Sequence, residues 1–346
     1  PQDGAGAGWN TANSNFWDGA TNVPWLNTTA DEAVFGAGSG AAGTVQVGTV
    51  NVNTITFSAA GSGNYTLSGA GAITFGGTSP TIATNADATI ATKIVDDSGF
   101  TKTGSGMLTL SAANTFTGSV YVNQGIVKIG RNGLGGPGAF GARDASPAKV
   151  IIAAGATVDL NGYIDSGYGY TIAGTGAAGT GAIINTGGHI GNSTLQTSNI
   201  TLSADAMIGG TGNFALLAPG HAATTLDLAA HTLTKAGTNT FTISNATFTA
   251  GNIHIAQGTF SQCTRAHNAS MVAFTLDDAA GATLALGGFD LSVGSLAGGG
   301  ATGGNVNLGA NTLTVGGLNT STTYAGAISG TGGNLAKTGS GTLVLG

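Results

Sequence analysis

The fold of this chain is set by a repeated stretch whose first copy reads Phe100-Thr-Lys-Thr-Gly-Ser-Gly-Met-Leu-Thr-Leu110. Copies at Leu233–Ile243 and Leu335–Leu345 keep its order: an apolar residue, a lysine, a glycine, then apolar residues at alternate positions. Alternation with period two is the pattern of a strand, because neighbouring side chains point to opposite faces. Three glycines share one position in the copies: Gly104, Gly237 and Gly339. We predict that each forms the turn between two strands of one coil.

Short alternating runs recur along the whole chain, for example Thr44–Phe57, Thr157–Leu160 and Thr283–Leu286. Glycine, asparagine, serine and aspartate bound them, and no long segment has the 3.6-residue period of a helix. Short strands between tight turns favour a solenoid over a sandwich, which usually has longer strands and a richer aromatic core. We therefore predict an all-β, right-handed, single-stranded parallel β-helix. Rungs of about 20 residues would give about 17 coils and a rod of about 80 Å.

The composition excludes several classes of protein. Among 346 residues, 63 are glycine, only 6 are proline and 7% are charged, without the three-residue period of collagen. A hydrophobic fraction of 41% is too high for a disordered linker. The net charge is −6 and the nine basic residues are scattered, which argues against nucleic acid as a partner. No run approaches the roughly 20 apolar residues of a transmembrane helix, so we predict no membrane-spanning segment.

The first repeat copy continues through Asn114-Thr-Phe-Thr-Gly118 into a closing strand, Val122–Ile129. In these residues the chain resembles the passenger-associated repeat of bacterial autotransporters, and Tyr324–Gly333 and Gly155–Gly162 are also typical of it. The resemblance implies a parallel β-helix passenger that is extracellular or attached to the outer membrane of a bacterium. That family exports its passengers through a C-terminal β-barrel. No series of amphipathic strands of about ten residues is evident, so we expect a passenger without its barrel: a fragment, a processed product, or a chain to which the export route of the family does not apply.

The predicted domain organisation has two parts. Residues 1–40 form an N-terminal aromatic cap and residues 41–346 form the parallel β-helix. The repeat segments lie near 100–130, 233–260 and 324–346, with a surface loop inserted near 130–148. Four aromatic residues are assigned to the cap, where they would cover the end of the hydrophobic bore: Trp9, Trp17, Trp25 and Phe35. The alternative for the tryptophans is a carbohydrate-binding platform.

The sequence does not predict an active site. Parallel β-helix enzymes use clustered carboxylates, but the pairs Asp96-Asp97 and Asp277-Asp278 consist of neighbours, which point to opposite faces of a strand and precede turn-forming residues. No histidine has metal-ligand spacing with another ligand, and Cys263 lies four residues from His267 without an orienting acid. We therefore predict no catalytic, cofactor-binding or metal-binding residues, no cofactor, and no enzymatic activity.

The predicted function is that of an extracellular structural or adhesive β-helix of a bacterial surface. We expect the C-terminal end, which has no comparable aromatic residues, to offer an open strand edge that stacks on another chain. The predicted partners are accordingly further copies of the same chain, in an end-to-end fibre, or glycans of a cell surface or matrix. The alternative is a β-helix that binds or processes polysaccharides.

Overall fold

The chain is a parallel β-solenoid of about 13 turns, which confirms the predicted parallel β-helix. This computed structural model describes residues 8–36, 39–95, 97–133, 136–144, 149–188, 195–196, 199–217 and 222–346. Apart from a 3₁₀ turn at Ala177–Gly179, all regular elements in these ranges are strands, most of them two to five residues long. Two strands form an antiparallel hairpin near the start: β2 (Phe16–Trp17) and β3 (Asn22–Val23).

The strands stack into three faces, and most strands pair with their counterparts in the turns before and after them. The first face contains β4 (Glu32–Phe35), β7 (Thr54–Phe57), β10 (Thr81–Thr84), β13 (Phe100–Thr103), β15 (Val120–Val122), β17 (Val150–Ile152), β20 (Gly169–Gly174), the start of β23 (Asn199–Gly210), β25 (Thr224–Asp227), β28 (Ala246–Phe248), the start of β31 (His267–Leu276), the start of β33 (Leu291–Gly298), β35 (Thr312–Val315) and β38 (Asn334–Lys337).

The second face contains β1 (Gly8–Trp9), β5 (Thr44–Val47), β8 (Tyr65–Ser68), β11 (Ala88–Ile90), β14 (Met107–Leu110), β16 (Gly125–Ile129), β18 (Ala156–Asp159), β21 (Ile183–Asn185), the ends of β23, β31 and β33, β26 (Thr232–Lys235), β29 (Gly251–Ile255), β36 (Thr322–Tyr324) and β39 (Leu343–Leu345). The third face is interrupted. It contains β6 (Val50–Val52), β9 (Ala72–Phe75), β12 (Lys93–Ile94), β19 (Asp165–Ser166), β22 (Leu195–Gln196), β24 (Phe214–Leu216), β27 (Thr240–Ser244), β30 (Thr259–Cys263), β32 (Thr283–Ala285), β34 (Asn305–Asn307) and β37 (Ile328–Ser329).

The turns are longer and less regular than the sequence suggested, so the prediction of about 17 coils was wrong. Tyr121 lies 20 residues after its ladder partner Thr101, whereas Ile151 lies 30 residues after Tyr121. Insertions at the corners lengthen individual turns while the strands stay in register. About 13 turns at a strand spacing of about 4.8 Å give a rod of about 60 Å.

Alternation along each strand divides the side chains between the bore and the surface. Inward residues stack in columns, such as Ile55 on Ile82, and form one hydrophobic cluster that runs from Trp9 to Tyr324. Outward positions carry columns of hydroxyl groups, of which Thr54, Thr81 and Thr101 are in register on the first face. The rod thus has an apolar interior and flat, weakly charged faces.

Candidate functional site

In the first two repeat copies the lysine lies inside the bore, where it holds two turns together. Lys102 occupies the apolar column between Ile82 and Val122, and its Nζ donates to the carbonyl oxygens of Thr103, Gly104 and Gln124 at 2.7–2.9 Å. The first two carbonyls lie just after the lysine, whereas Gln124 belongs to the next turn. Burial lowers the pKa of Lys102 to about 8.

The second repeat copy reproduces this arrangement. Nζ of Lys235 donates to the carbonyl oxygens of Ala236, Gly237 and Gln257 at 2.8–3.1 Å, and burial lowers its pKa to about 7. In the third copy, Lys337 contacts the carbonyl oxygens of Thr338 and Gly339. In the first two copies the lysine therefore acts as a staple between turns, whereas Lys337 contacts carbonyl oxygens of its own turn.

The glycines predicted to form the repeat turns have positive φ angles: Gly104 (77°), Gly237 (75°) and Gly339 (69°). Each also lies against the preceding turn. A Cβ atom on Gly104 would lie 2.4 Å from the carbonyl oxygen of Thr84, and one on Gly237 would lie 2.4 Å from that of Gly210. A side chain at these positions would meet both backbone strain and backbone atoms.

Of the four aromatic residues assigned to the cap, three lie in the interior at the N-terminal end. Trp9, Trp25 and Phe35 are buried and their rings are in edge-to-face contact, with the centroid of Trp9 at 5.4 Å from Trp25 and 5.5 Å from Phe35. Phe16 of the hairpin packs on Trp25 at 4.8 Å. Trp17 lies on the same hairpin but is 51% exposed. Its side chain faces solvent, and the capping role of the group stays a prediction.

The carboxylates are used to join turns. Oδ1 of Asp87 accepts a hydrogen bond from the backbone N–H of Met107, and Oδ1 of Asp290 accepts one from Thr312, in each case one turn further on. The neighbouring residues Asp277 and Asp278 have different partners. Asp277 contacts Nε2 of His254 at 2.7 Å, whereas Asp278 accepts from the N–H groups of Thr302 and Gly303. Of the pair Asp96-Asp97, Asp96 lies outside the described residues. Asp97 accepts from the hydroxyl of Thr117.

Histidine, cysteine and carboxylate side chains do not assemble a metal site: within the described ranges no three of them are grouped to hold an ion. His189 and His221 lie outside those ranges. Cys263 is partly buried and reduced, and burial raises the pKa of its thiol. No helix in the described part of the chain is both long and apolar enough to cross a membrane.

The segment predicted as a surface loop near 130–148 folds back on the solenoid where it is described. Phe140 is fully buried and its ring is perpendicular to that of Tyr168 at 5.9 Å. The hydroxyl of Tyr168 accepts from the N–H of Gly138 and donates to the carbonyl oxygen of Gly141, so one side chain fixes the segment at two points. Below it, the hydroxyl of Tyr170 donates to the buried carboxyl group of Asp165, whose pKa is raised by burial.

A groove opens on the first face where β28 and β31 lie side by side, and it is the candidate binding site. Its volume is about 480 Å³, and we call it the arginine groove. It is lined by Ala246, Thr247, Phe248, Arg265, Ala266, His267, Asn268, Ala269, Ser270 and Met271. Strand β31 bulges here: three residues between Ala269 and Ala273 face a single residue of β33. The bulge leaves Met271 exposed.

A buried hydrogen-bond network supports this groove from below. Nε2 of His267 accepts from the backbone N–H of Ala246 at 3.0 Å, and its Nδ1 donates to Oε1 of Gln262 at 2.7 Å. The amide of Gln262 then donates to the carbonyl oxygens of Phe289 and Asp290. Burial, helped by the charge of Arg265, lowers the pKa of His267 to about 4, so the imidazole is neutral at physiological pH. These hydrogen bonds hold the buried residues at the bottom of the groove, which we call its floor, in one conformation.

The sequence did not predict this groove, because His267 was considered only for its spacing from Cys263. The signal that was available is the break in alternation after Ala269, where Ser270-Met271-Val272 interrupts the strand pattern.

Comparisons with known proteins match the fold and the repeats. The family model of the passenger-associated transport repeat matches residues 100–129 and 233–261. The chain is 34% identical over 263 residues to the adhesin BmaC autotransporter of Brucella suis biovar 1 (strain 1330). That alignment covers 72% of this chain, which spans about 7% of the length of the relative. No solved structure matches the chain significantly.

Proposed function

Because the chain belongs to the bacterial autotransporter passengers that carry this repeat, and is accordingly secreted or located at the cell surface, we propose that it acts as an adhesive segment. One structural observation carries the proposal. Threonines stand in register in three successive turns of the first face, at Thr54, Thr81 and Thr101. Hydroxyl groups repeated about every 4.8 Å offer many equivalent hydrogen bonds to an extended partner.

The resemblance to an adhesin supports the same proposal, since the similarity extends over 263 residues and so includes the body of the rod as well as the repeats. The proposed partners are cell-surface or matrix glycans.

Adhesion can be measured with beads that carry the purified chain on cultured epithelial cells. Beads with the folded chain should attach well above beads with the same chain unfolded by heat, which have equal mass and composition. Equal attachment of both kinds of bead would contradict the proposal.

End-to-end assembly into a fibre stays a prediction. It is supported by the parallel ladders, because each turn pairs with its neighbour through backbone hydrogen bonds that a second copy could also supply. Electron microscopy of the purified chain at high concentration tests it. Short rods of uniform length would contradict fibre formation.

A non-enzymatic role is favoured by the family, and the use of Asp87, Asp278 and Asp290 in bridges between turns supports it. A polysaccharide-cleaving activity is the competing function. Incubation with acidic polysaccharides, with and without Ca²⁺, should release no reducing ends or unsaturated products. Turnover that Asp277→Ala abolishes would overturn this assignment.

A further inference from the structure

We propose that the arginine groove binds a sugar residue that bears a carboxylate, such as a uronic acid or a sialic acid. The inference deepens the proposed adhesive function, on which it rests, because it names the ligand class and the place of contact. The charge of the groove, the chemistry of its walls and its rigidity all favour such a ligand.

Arg265 gives the groove a positive charge that no other side chain in the described part of the chain neutralises. Seven of the nine basic residues of this acidic chain hold carbonyl oxygens or carboxylates: Lys102, Lys128, Arg131, Arg143, Lys149, Lys235 and Lys337. The side chain of Arg265 is exposed, and its guanidinium makes no hydrogen bond or ion pair with any residue that the structure describes, whereas its backbone is hydrogen-bonded to His267. Among the described residues, the lining of the groove includes no aspartate or glutamate. A free guanidinium is suited to a carboxylate, which it binds through two parallel N–H···O bonds.

The walls of the groove supply the other contacts that a sugar needs. Thr247 and Asn268 are exposed, and both can donate to and accept from sugar hydroxyl groups. Met271 is exposed and adds apolar surface for the C–H face of a pyranose ring. A volume of about 480 Å³ lies within the usual range of small-ligand sites, which is about 300–1,000 Å³. The combination of one cation, several hydroxyl or amide groups and limited apolar surface matches an acidic sugar.

The groove is also held in place before a ligand arrives. His267 fixes the floor through Ala246 and Gln262, and the side chain of Asn268 accepts from the N–H of Ser270 at 3.0 Å, which stabilises the start of the bulge. On the other side, Leu318 packs over Gly294, where a Cβ atom would lie 2.6 Å from the leucine side chain. A site that is already ordered loses less conformational entropy on binding.

Isothermal titration calorimetry with matched probes tests the inference. Trigalacturonate and 3′-sialyllactose are the acidic probes, and the methyl ester of trigalacturonate and lactose are their neutral counterparts. We expect both acidic probes to bind, and each neutral counterpart to bind at least about tenfold more weakly, because it cannot form the charge-assisted pair.

Substitutions then locate the binding site. Arg265→Ala should weaken trigalacturonate binding at least about tenfold, and Arg265→Lys should weaken it less, because a lysine keeps the charge but loses the bidentate geometry. Lys93→Ala is the matched control, since it removes an equal charge from an exposed position on β12, several turns away. Far-UV circular dichroism checks that each variant is folded.

Three results would overturn the inference: no binding of either acidic probe, equal binding of acid and ester, or an equal loss in Arg265→Ala and Lys93→Ala. The adhesion assay separates this inference from the proposed function. Attachment of beads without binding of the acidic probes would refute the groove as the site and leave adhesion standing. Binding of the probes without attachment would refute adhesion and keep the groove.

Discussion

Buried lysines are the most unusual single residues of this rod. An ammonium group taken out of water without partners would cost many kcal/mol, and Lys102 and Lys235 reduce that cost by donating to three carbonyl oxygens each. The remaining cost of burial lowers their pKa values to about 8 and about 7. Lys149 uses the same chemistry outside the repeat, since its Nζ donates to Thr117 and Gly118 and lies 4.8 Å from the centre of the Phe116 ring. Because burial lowers the pKa of these lysines, their contribution to the free energy of unfolding depends on pH.

Replacing Lys235 with methionine should lower the free energy of unfolding by about 2 kcal/mol, because three buried carbonyl oxygens lose their donor. The difference from the wild type should grow between about pH 7 and about pH 10.5. In that window the unfolded lysine keeps its proton whereas the folded one loses it, so only the wild type gains stability as the pH rises. Urea unfolding at pH 6.5 and pH 9 measures both effects.

Lys93→Met is the control for this prediction, because it removes an exposed amine and should change stability by no more than about 0.5 kcal/mol. An unchanged free energy of unfolding in Lys235→Met would show that the staple does not stabilise the rod.

His267 should make the rod sensitive to acid. Its folded pKa of about 4 lies below the ordinary value of 6.5, so the unfolded chain binds a proton between these values and the folded chain does not. Stability from this residue is therefore present above about pH 6.5 and is lost as the pH falls towards about 4. His267→Gln should flatten the dependence of the free energy of unfolding on pH in this window, measured by urea unfolding. Parallel curves for the variant and the wild type would contradict the prediction.

At the level of the turn, three glycines distinguish two costs of adding a side chain. One cost is backbone strain at a positive φ angle, and the other is steric overlap with the preceding turn. Gly136 has no positive φ angle and no atom within 4 Å of an added Cβ, whereas Gly281 has a φ of 86° and equally open space. Gly237 combines a φ of 75° with a carbonyl oxygen 2.4 Å from the added Cβ. Alanine should be nearly neutral at 136, cost about 1–2 kcal/mol at 281, and cost more than that at 237.

Thermal or urea unfolding of the three alanine variants measures this series. A loss of stability at 237 no larger than that at 281 would show that the preceding turn moves away, and that close packing of turns is not what requires glycine there.

The strands could be predicted from the sequence, whereas the number of turns and the arginine groove could not. Strands such as Met107–Leu110 were predictable, because one face is buried and the alternation is forced by the bore. The number of turns was not, since an inserted segment such as 130–144 leaves the register of β15 and β17 unchanged. The arginine groove was not predictable, because it depends on contact between β28 and β31, which places Thr247 and Met271 at one surface although they are far apart in the sequence.

At the scale of the whole molecule, the rod is a linear array. Each turn contacts the turns before and after it, so the stability of a turn depends mainly on its neighbours. All three tryptophans lie at one end, in residues 9–25. Tryptophan fluorescence therefore reports on that end alone, whereas far-UV circular dichroism reports on the entire ladder.

The urea midpoints of tryptophan fluorescence and far-UV circular dichroism should differ when one end of the rod is destabilised by a substitution. Trp9→Ala removes a fully buried ring and should cost about 3–5 kcal/mol locally, and Leu284→Ala in β32 should cost about 2–5 kcal/mol near the other end. In urea, Trp9→Ala should shift the fluorescence of Trp25 to lower concentration more than the dichroism. Leu284→Ala should shift the dichroism and leave the fluorescence nearly unchanged, because interactions act mainly between adjacent turns. Equal shifts of both signals in both variants would show instead that the turns unfold as one cooperative unit.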